Sequence, residues 1–521
     1  MLCGGTRSFI DEADKNGHTC SCENTAHTEG RFHSFHRQNT ETDVCVNVPG
    51  FDTHANMPPV LPLVVLLLLP LLPLMIVRWR AWRSRESLRS IRDRPLRVAF
   101  LHPDLGIGGA ERLVVDAALS LQQRGHKVSI TTAHHDPTRC FKETRDGTLE
   151  VTVTGAFIPR HIFGRLHIVC ATARAIVGAA ILVIQEPGLD AVVVDQVPAA
   201  VPLLRACGLA AVFYCHFPDK LLSPGAAATA SGSSGLRRSL LRQAYRLPFD
   251  LLEELCTGCA SLVLVNSAYT RSVYASSFHV LRSLRDLFGA DLPAVLHPSI
   301  DLVANQSMPW SEAPKPAKAE ALTLVSINRF ERKKALELAL RALLQLRQRR
   351  GSVGVGNGSA PYKEVRLILA GGFDERLHEN VEYYAELEEI VRSGGMSDVV
   401  ELRRNVSDEE RRRLFASAAA IVYTPSYEHF GIVPLEAMAA ARPVIAVGLG
   451  GPCESVEHGT SGWLCQPTAE AFEAAFAEVV ALNANGTLHK RGDAARARVE
   501  AAFSRERFGE RLEGFLQAAV C

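Results

Sequence analysis

"AAIVYTPSYEHFGIVPLEAMAAARP", Ala419–Pro443, reads as a strand, a turn and a helix in succession. The apolar run "AAIVYTPS" has strand composition. "VPLEAMAAARP" has helix composition, with Pro434 near the first turn, where a missing N–H costs little. Between them the chain turns through Phe430 and Gly431. The N–H groups of Gly431, Ile432 and Val433 are therefore expected to face a cleft at a helix N-terminus, a geometry suited to a phosphate or a sugar hydroxyl. Glu428 precedes the turn and Glu436 is expected in the first helical turn, so the two acids flank that site. They make sense together if each grips hydroxyls at one end of a diphosphate. An acid in a first turn is also favourable for the helix dipole alone.

The same strand–turn–helix pattern recurs outward in both directions. Downstream of residue 321 come "LTLVSINRFERKKALELALRALLQL", "VRLILAGG", "DVVELRR" and "RPVIAVGLGG". Upstream, "PLRVAFLHPDL" runs into "GIGGAERLVVDAALSLQQRG", and "KVSITTAHHD", "LDAVVVDQVPA", "LAAVFYCHFPD", "CASLVLVNSAYTRSVYAS" and "AVLHPSID" follow. The polar, Pro-rich stretch 305–321, "NQSMPWSEAPKPAKAEA", separates the two blocks as a linker. Strands alternating with helices in two blocks predict two Rossmann-like, doubly wound α/β domains, over 97–304 and 322–500, facing a cleft. A last helix within 501–521 is placed to pack across the first domain. "SPGAAATASGSSG" and "GSVGVGNGSAP" read as surface loops.

The 521 residues and the net charge of +1 fit two domains and argue against a nucleic-acid footprint, which needs a basic stripe. The 13 cysteines lie mostly in apolar runs, as buried thiols rather than a disulfide framework. Cys20 and Cys22 near His18 and His27 make an incomplete metal pattern, without a second pair. Residues 1–56 are polar and aperiodic and read as a disordered tail. Pro58–Val77 is uncharged for 20 residues, long enough for a helix to span a bilayer core of roughly 30 Å. "RWRAWRSR" follows it, so 57–96 reads as a membrane anchor with a basic flank, and the positive-inside rule puts the remaining chain in the cytosol. A cleaved signal peptide and a re-entrant segment are the alternatives. No small-residue cleavage site follows Val77, whereas Pro62, Pro70 and Pro73 keep the re-entrant form open.

Ligands in doubly wound sheets bind beyond the strand carboxyl ends, so polar residues there carry the chemistry. The turn Gly106–Glu111 lacks the third glycine of a dinucleotide fingerprint, as does "GLGGPCE", where Cys453 takes that place. What both retain is a glycine turn before a helix, with Gly108 and Gly109 offering N–H groups to an anion or a hydroxyl; a purely structural turn is the other reading. Arg329 and Lys334, at a strand end and an expected helix start, can converge on a diphosphate as fork and point charge. A solvated charge run, shared with Arg332 and Lys333, is the alternative. His216 ends the strand "AVFYCHFPD", where an imidazole is either a packed core residue or a ligand at the cleft.

These motifs, "GGAER", "SINRFERKK", "AGGFDER", "YTPSYEHFGIVPLEAM" and "PVIAVGLGGPCES", resemble the retaining GT-B glycosyltransferases of family 4. Within them the resemblance is to the family of α-1,3/1,6-mannosyltransferases of the dolichol-linked oligosaccharide pathway, from about Arg97 to the C-terminus. It implies GDP-mannose as donor and a mannosyl-chitobiosyl-diphosphodolichol acceptor, with an α-1,3 and then an α-1,6 mannose added at the cytosolic face of the endoplasmic reticulum membrane. Other enzymes of the same pathway are implied as partners. Carried onto matching positions, Arg329 and Lys334 hold the donor diphosphate and Glu436 the ribose. Glu428 and the Phe430–Val433 segment hold mannose hydroxyls, and His216 lies by the anomeric centre or the diphosphate. Gly108 and Gly109 approach the phosphate or the acceptor. No cofactor is implied, and no metal, since no D-x-D occurs in the chain and Arg and Lys meet the leaving-group charge. With no evident nucleophilic acid, same-face attack is the expected route to retention. Sequons at Asn305, Asn357, Asn405 and Asn485 stay unmodified in a cytosolic chain. Three alternatives remain open: a GT-B enzyme using another donor or lipid acceptor, a silent membrane-tethered scaffold, and a nucleotide-dependent oxidoreductase.

Overall fold

The computed structural model describes residues 94–163, 166–222, 233–288, 291–302, 322–352 and 365–521. The tail, the apolar segment, the linker, most of both Gly-rich stretches and the sequons at Asn305 and Asn357 lie outside the described residues.

The first domain is a seven-stranded parallel sheet. Its strands are β1 (Arg97–His102), β2 (Lys127–Thr132), β3 (Glu150–Val153), β4 (Ala191–Asp195), β5 (Ala210–Cys215), β6 (Leu262–Val265) and β7 (Ala294–Val295), in spatial order β3-β2-β1-β4-β5-β6-β7. The second is six-stranded and parallel: β8 (Leu322–Ile327), β9 (Val365–Gly371), β10 (Val400–Arg404), β11 (Ala420–Tyr423), β12 (Val444–Val447) and β13 (Gly462–Cys465), ordered β10-β9-β8-β11-β12-β13. Both orders reverse direction once, between β1 and β4 and between β8 and β11. Those two reversal points are where a doubly wound sheet opens a crevice.

Why these strands are almost wholly apolar follows from burial on both faces. In the first sheet Phe100, Val193, Val212 and Tyr214 pack to one side with Val114 and Leu121 of the helix Gly109–Gln123. Ala99, Val192, Ala211 and Phe213 pack to the other with Leu182 and Tyr274. The helix Arg505–Val520 returns to the first domain, inserting Phe508, Leu512, Leu516 and Ala519 into the first of these cores.

Several features depart from the sequence pattern or were not read in it. β3 and β13 were not read as strands, and β7 is only two residues long. "HIVCATARA" opens a 19-residue helix, His167–Gln185, long and apolar enough to cross a membrane by composition. It packs Cys170, Gly178, Ala179 and Leu182 inward and leaves Ile184 78% exposed. The helix after "NRFERKK" starts at Glu337, because Arg332–Lys334 form a 3₁₀ turn closed by Ala335 in the left-handed region, φ 46°. The cations therefore precede the helix and do not oppose its dipole from within. Among the described residues the cysteines are free thiols, with Cys170, Cys215, Cys256 and Cys465 buried and Cys207 and Cys521 exposed.

Candidate active site

The carboxyl ends of β1, β4 and β5 gather three polar side chains at the first reversal point. His102 ends β1, Asp195 ends β4 and His216 follows β5. His102 Nδ1 lies 2.7 Å from Asp195 Oδ2, and His216 Nε2 lies 2.7 Å from Asp195 Oδ1. One fully buried carboxylate thus bridges two imidazoles, of which only His216 reaches the solvent-accessible cleft. Burial opposes a charge on His102, but Asp195 and Glu111 prevail and raise it to about 9. Burial likewise opposes charge on Asp195, and the two histidines hold its carboxyl well below the usual range. Glu111, in the first turn of the helix Gly109–Gln123, approaches His102 at 3.9 Å. A side chain at Gly108, the N-cap of that helix, would meet the Glu111 carboxylate at 2.2 Å, while Gly109 faces open space.

The second reversal point carries the residues from the "NRFERKK" and "EHFGIVPLE" segments. Lys334 is buried, its Nζ 2.5 Å from Glu428 Oε2, and its carbonyl accepts the Thr424 hydroxyl at 2.6 Å. Burial pushes the Glu428 carboxyl up, and the Lys334 ammonium outweighs it, leaving the acid below its ordinary value. Gly431 adopts φ 88° and caps the helix Ile432–Ala439 with no side chain bonded to the helix start. The N–H groups at this N-terminus are thus not taken by a capping side chain. Glu436 falls in the second turn of that helix, not the first, and pairs with Arg411. Its burial raises the carboxyl, which Arg411 only partly offsets. Arg329 stays exposed, 2.9 Å from Glu331 Oε1, and Lys333 shares the same acid at 3.0 Å.

Three further observations place these segments. "GLGGPCE" does not present a free glycine turn, because Gly451 N–H donates to the Glu428 carbonyl at 2.8 Å. An added Cβ at Gly451 would lie 2.2 Å from Phe430 Cα, so this glycine is there to let two backbones touch. The two domains meet over the cleft. Phe217, next to His216, stacks on His429 with ring centroids 3.8 Å apart and planes 7° from parallel, and Ser267 Oγ donates to the His429 carbonyl at 2.6 Å. Burial, chiefly, lowers His429 to about 4, so it is neutral near pH 7.

The fold therefore brings Lys334, Glu428 and the Gly431–Val433 helix start together in one domain, and puts His216 on the facing wall through the Phe217–His429 contact. Arg329 and Glu436 sit at the margins of that cluster, and Gly108 and Gly109 stand at the β1 end of the first reversal point. Sequence reasoning passed over His102, Asp195, Glu111 and Arg411. Asp195 had a readable signal, a carboxylate closing the all-apolar strand "AVVVD". Arg411 had none. A fixed cation, a helix N-terminus and a hydroxyl-gripping carboxylate, faced by an imidazole, can bind a sugar diphosphate and stabilise it as it departs.

Known proteins agree with this geometry. Residues 107–285 match the family described as Glycosyltransferase Family 4, and residues 310–498 match Glycosyl transferases group 1. The chain is 43% identical over 422 residues to the α-1,3/1,6-mannosyltransferase ALG2 of Homo sapiens, covering 80% of this chain and 94% of that one. It is 41% identical over 434 residues to the α-1,3/1,6-mannosyltransferase ALG2 of Dictyostelium discoideum, covering 81% and 97%. Sucrose-phosphate synthase from Thermosynechococcus elongatus shares the fold at TM-score 0.60 with 19% identity, over 81% of this chain and 98% of that one. Two parallel Rossmann-like domains, the site between them and relatives covered nearly end to end agree: the chain belongs to the α-1,3/1,6-mannosyltransferase family of GT-B glycosyltransferases.

Proposed function

We propose that this enzyme transfers mannose from GDP-mannose, with retention, first α-1,3 and then α-1,6, onto mannosyl-chitobiosyl-diphosphodolichol at the cytosolic face of the endoplasmic reticulum membrane. The observation that carries the donor assignment is the buried Lys334–Glu428 pair beside the helix start at Gly431. A diphosphate entering there meets the Lys334 ammonium and backbone N–H groups, while Glu428 turns to sugar hydroxyls. Arg329, exposed on a short strand-end loop and paired with Glu331, would exchange that acid for the same phosphates. Glu436, held by Arg411, faces the ribose.

As the glycosidic bond to phosphate lengthens, charge grows on the leaving diphosphate, and Lys334 and Arg329 stabilise it more than the ground state. His216, oriented by Asp195, lies on the acceptor side of the anomeric carbon. The acceptor hydroxyl attacks from the face the phosphate leaves, and its proton passes to the departing phosphate. Neither a resident cofactor nor a metal is part of this scheme. The lipid-linked acceptor is supported by the uncharged apolar sequence Pro58–Val77 with its basic flank, and by an apolar surface on the first domain. There Phe157 and Phe163 are 76% and 98% exposed near the helix His167–Gln185. Association with other enzymes of the pathway fits a membrane-bound sequential reaction.

The test is turnover of GDP-mannose with mannosyl-chitobiose on a lipid diphosphate, in detergent or liposomes. Two successive mannose additions are expected. Lys334→Ala should lower kcat/KM at least about 100-fold, as loss of a leaving-group contact does, and Glu428→Gln should lower it through the lost grip on the sugar hydroxyls. A folded wild type that transfers from a uridine-linked donor instead, or transfers nothing, defeats the assignment. A trapped mannosyl-enzyme adduct defeats the same-face route alone.

A further inference from the structure

The chain leaves β5 through His216, Phe217 and Pro218 and enters a single helical turn, Asp219–Leu222. The N–H groups of Asp219 and Lys220 open that turn, where no helical carbonyl precedes them. Both donate to Glu253, 34 and 33 residues further on in the helix Ser233–Gly258: Asp219 N–H to Oε1 at 2.7 Å and Lys220 N–H to Oε2 at 3.1 Å. Arg246 of the same helix adds a third bond, its Nη2 donating to the Asp219 carbonyl at 3.3 Å. The Lys220 side chain is held as well. Its ammonium donates to the Ser277 carbonyl and lies 3.5 Å from Glu254 Oε2. At the other end of this short segment are the groups that face the cleft: His216, with Nε2 2.7 Å from Asp195, and Phe217, stacked on His429 of the second domain.

We propose that Glu253 is a positioning residue for sugar transfer, fixing the His216–Lys220 segment so that the imidazole is delivered to the reacting centre. The proposal rests on the mannosyl-transfer reading above. Asp195 orients the ring of His216, and Glu253 holds the backbone that follows it. The chemistry of the grip is specific to an acid. A carboxylate offers two acceptor oxygens to the two N–H groups, whereas an amide offers one and turns its own NH2 donors toward the other. The acid is kept at a cost: burial raises Glu253 to about 7, and its bonds to the Asp219 and Lys220 N–H groups offset that only in part. Among the described residues the partners bonded to it are these backbone groups and not a cation. A surface carboxylate would cap a four-residue helix without that burial. What the buried one adds is a fixed distance between the helix Ser233–Gly258 and the segment bearing His216.

The experiment uses the full chain, GDP-mannose and mannosyl-chitobiose on phytanyl diphosphate, at pH 8, where Glu253 is ionised and both its oxygens accept. Glu253→Gln should lower kcat about tenfold or more, with both KM values moved less than about threefold. A double-mutant cycle with His216→Ala separates positioning from plain stability. A residue that acts through His216 has little further effect once the imidazole is gone, whereas an independent effect multiplies. If Glu253→Gln melts early, Asp219→Pro carries the same comparison, because it deletes one donor from the segment at a helix start, where proline is tolerated. Asp219→Ala keeps the N–H, is the control for that variant and should turn over like wild type. A folded variant with wild-type kcat, or effects that multiply in the cycle, overturns the positioning role while leaving the mannosyl-transfer reading standing. No transfer by the folded wild type removes that reading, and the positioning role with it.

Discussion

At the scale of single residues, Asp195 has the most at stake. Its carboxylate is fully buried and shared between His102 and His216. Removing one partner of a buried charge pair costs about 3–5 kcal/mol, because the other charge is left without compensation. Asp195→Asn should therefore melt well below wild type, and it should lower kcat through a misdirected His216 even where the protein remains folded. The same pair gives the fold a pH signature. His102 is raised from 6.5 to about 9, so its contribution is complete below pH 6.5 and lost as pH rises through 9. Denaturant titrations at pH 6.5, 7.5 and 9 should show wild type weakening across that window and Asp195→Asn nearly flat. Equal slopes for the two proteins would show that the His102–Asp195 pair is not responsible. Cys215 and Tyr214, buried beside the pair, are pushed upward by burial and do not titrate in that range.

At the scale of elements, the helix Ile432–Ala439 depends on a neighbour that has no chemistry of its own. Glu428 pairs in a single parallel bridge with Gly450, and the next glycine lies against Phe430. Gly451→Ala puts a methyl group 2.2 Å from Phe430 Cα, which only backbone movement can relieve. Overpacking of this kind costs about 1–3 kcal/mol, and the shift displaces Glu428 and the helix start together. Steady-state kinetics should show a fall in kcat/KM of about tenfold or more, since 1.4 kcal/mol lost from the transition state is already that much. Gly514→Ala is the counterpart. Gly514 is exposed within the helix Arg505–Val520, with nothing within 4 Å of an added Cβ, and the change should stabilise by about 0.5–1 kcal/mol without touching activity. Thermal melts of the two variants that move in the same direction would sink this account.

At the scale of the whole molecule, one carboxylate ties the domains. Glu454, in the short helix Pro452–Ser455, accepts the N–H groups of Ala268 and Tyr269 at 2.8 and 3.0 Å and His297 Nε2 at 2.8 Å. It closes the start of the helix Ala268–Ser277 in the other domain, where a negative charge is favoured by the dipole. The helix Arg505–Val520 is the second tie, with Arg505 reaching Asp116 and Asp301. Glu454→Ala breaks the first tie and leaves the second. Small-angle scattering should then report a larger radius of gyration without ligand, and the KM for GDP-mannose should rise several-fold, because closing the cleft now has to be driven by binding energy. A variant with unchanged radius and unchanged KM would mean that the C-terminal helix and the Phe217 and Ser267 contacts to His429 set the domain arrangement without Glu454.

The alternation of apolar strands with helix patterns was legible because it is local: strand and helix periodicities are written within a dozen residues, and two blocks of them leave few topologies. The strand-end residues Arg329, Lys334, Glu428 and His216 were legible for the same reason, since the carboxyl edge of a parallel sheet is where ligands go. Among the elements that went unread, β3 and β13 are short and the helix His167–Gln185 is largely apolar, and periodicity does not separate such segments. Partnership was decided only by tertiary structure. His102 and Asp195 stand 93 residues apart in the chain, Lys334 and Glu428 94, and Glu436 and Arg411 25. Glu454 and the Ala268 N–H belong to different domains, 186 residues apart. Sequence determined which residues reach the ends of strands. The order of strands in each sheet and the closure of one domain on the other determined which of them meet, because a charge is satisfied by whatever the fold brings within a few ångströms and not by its neighbours in the chain.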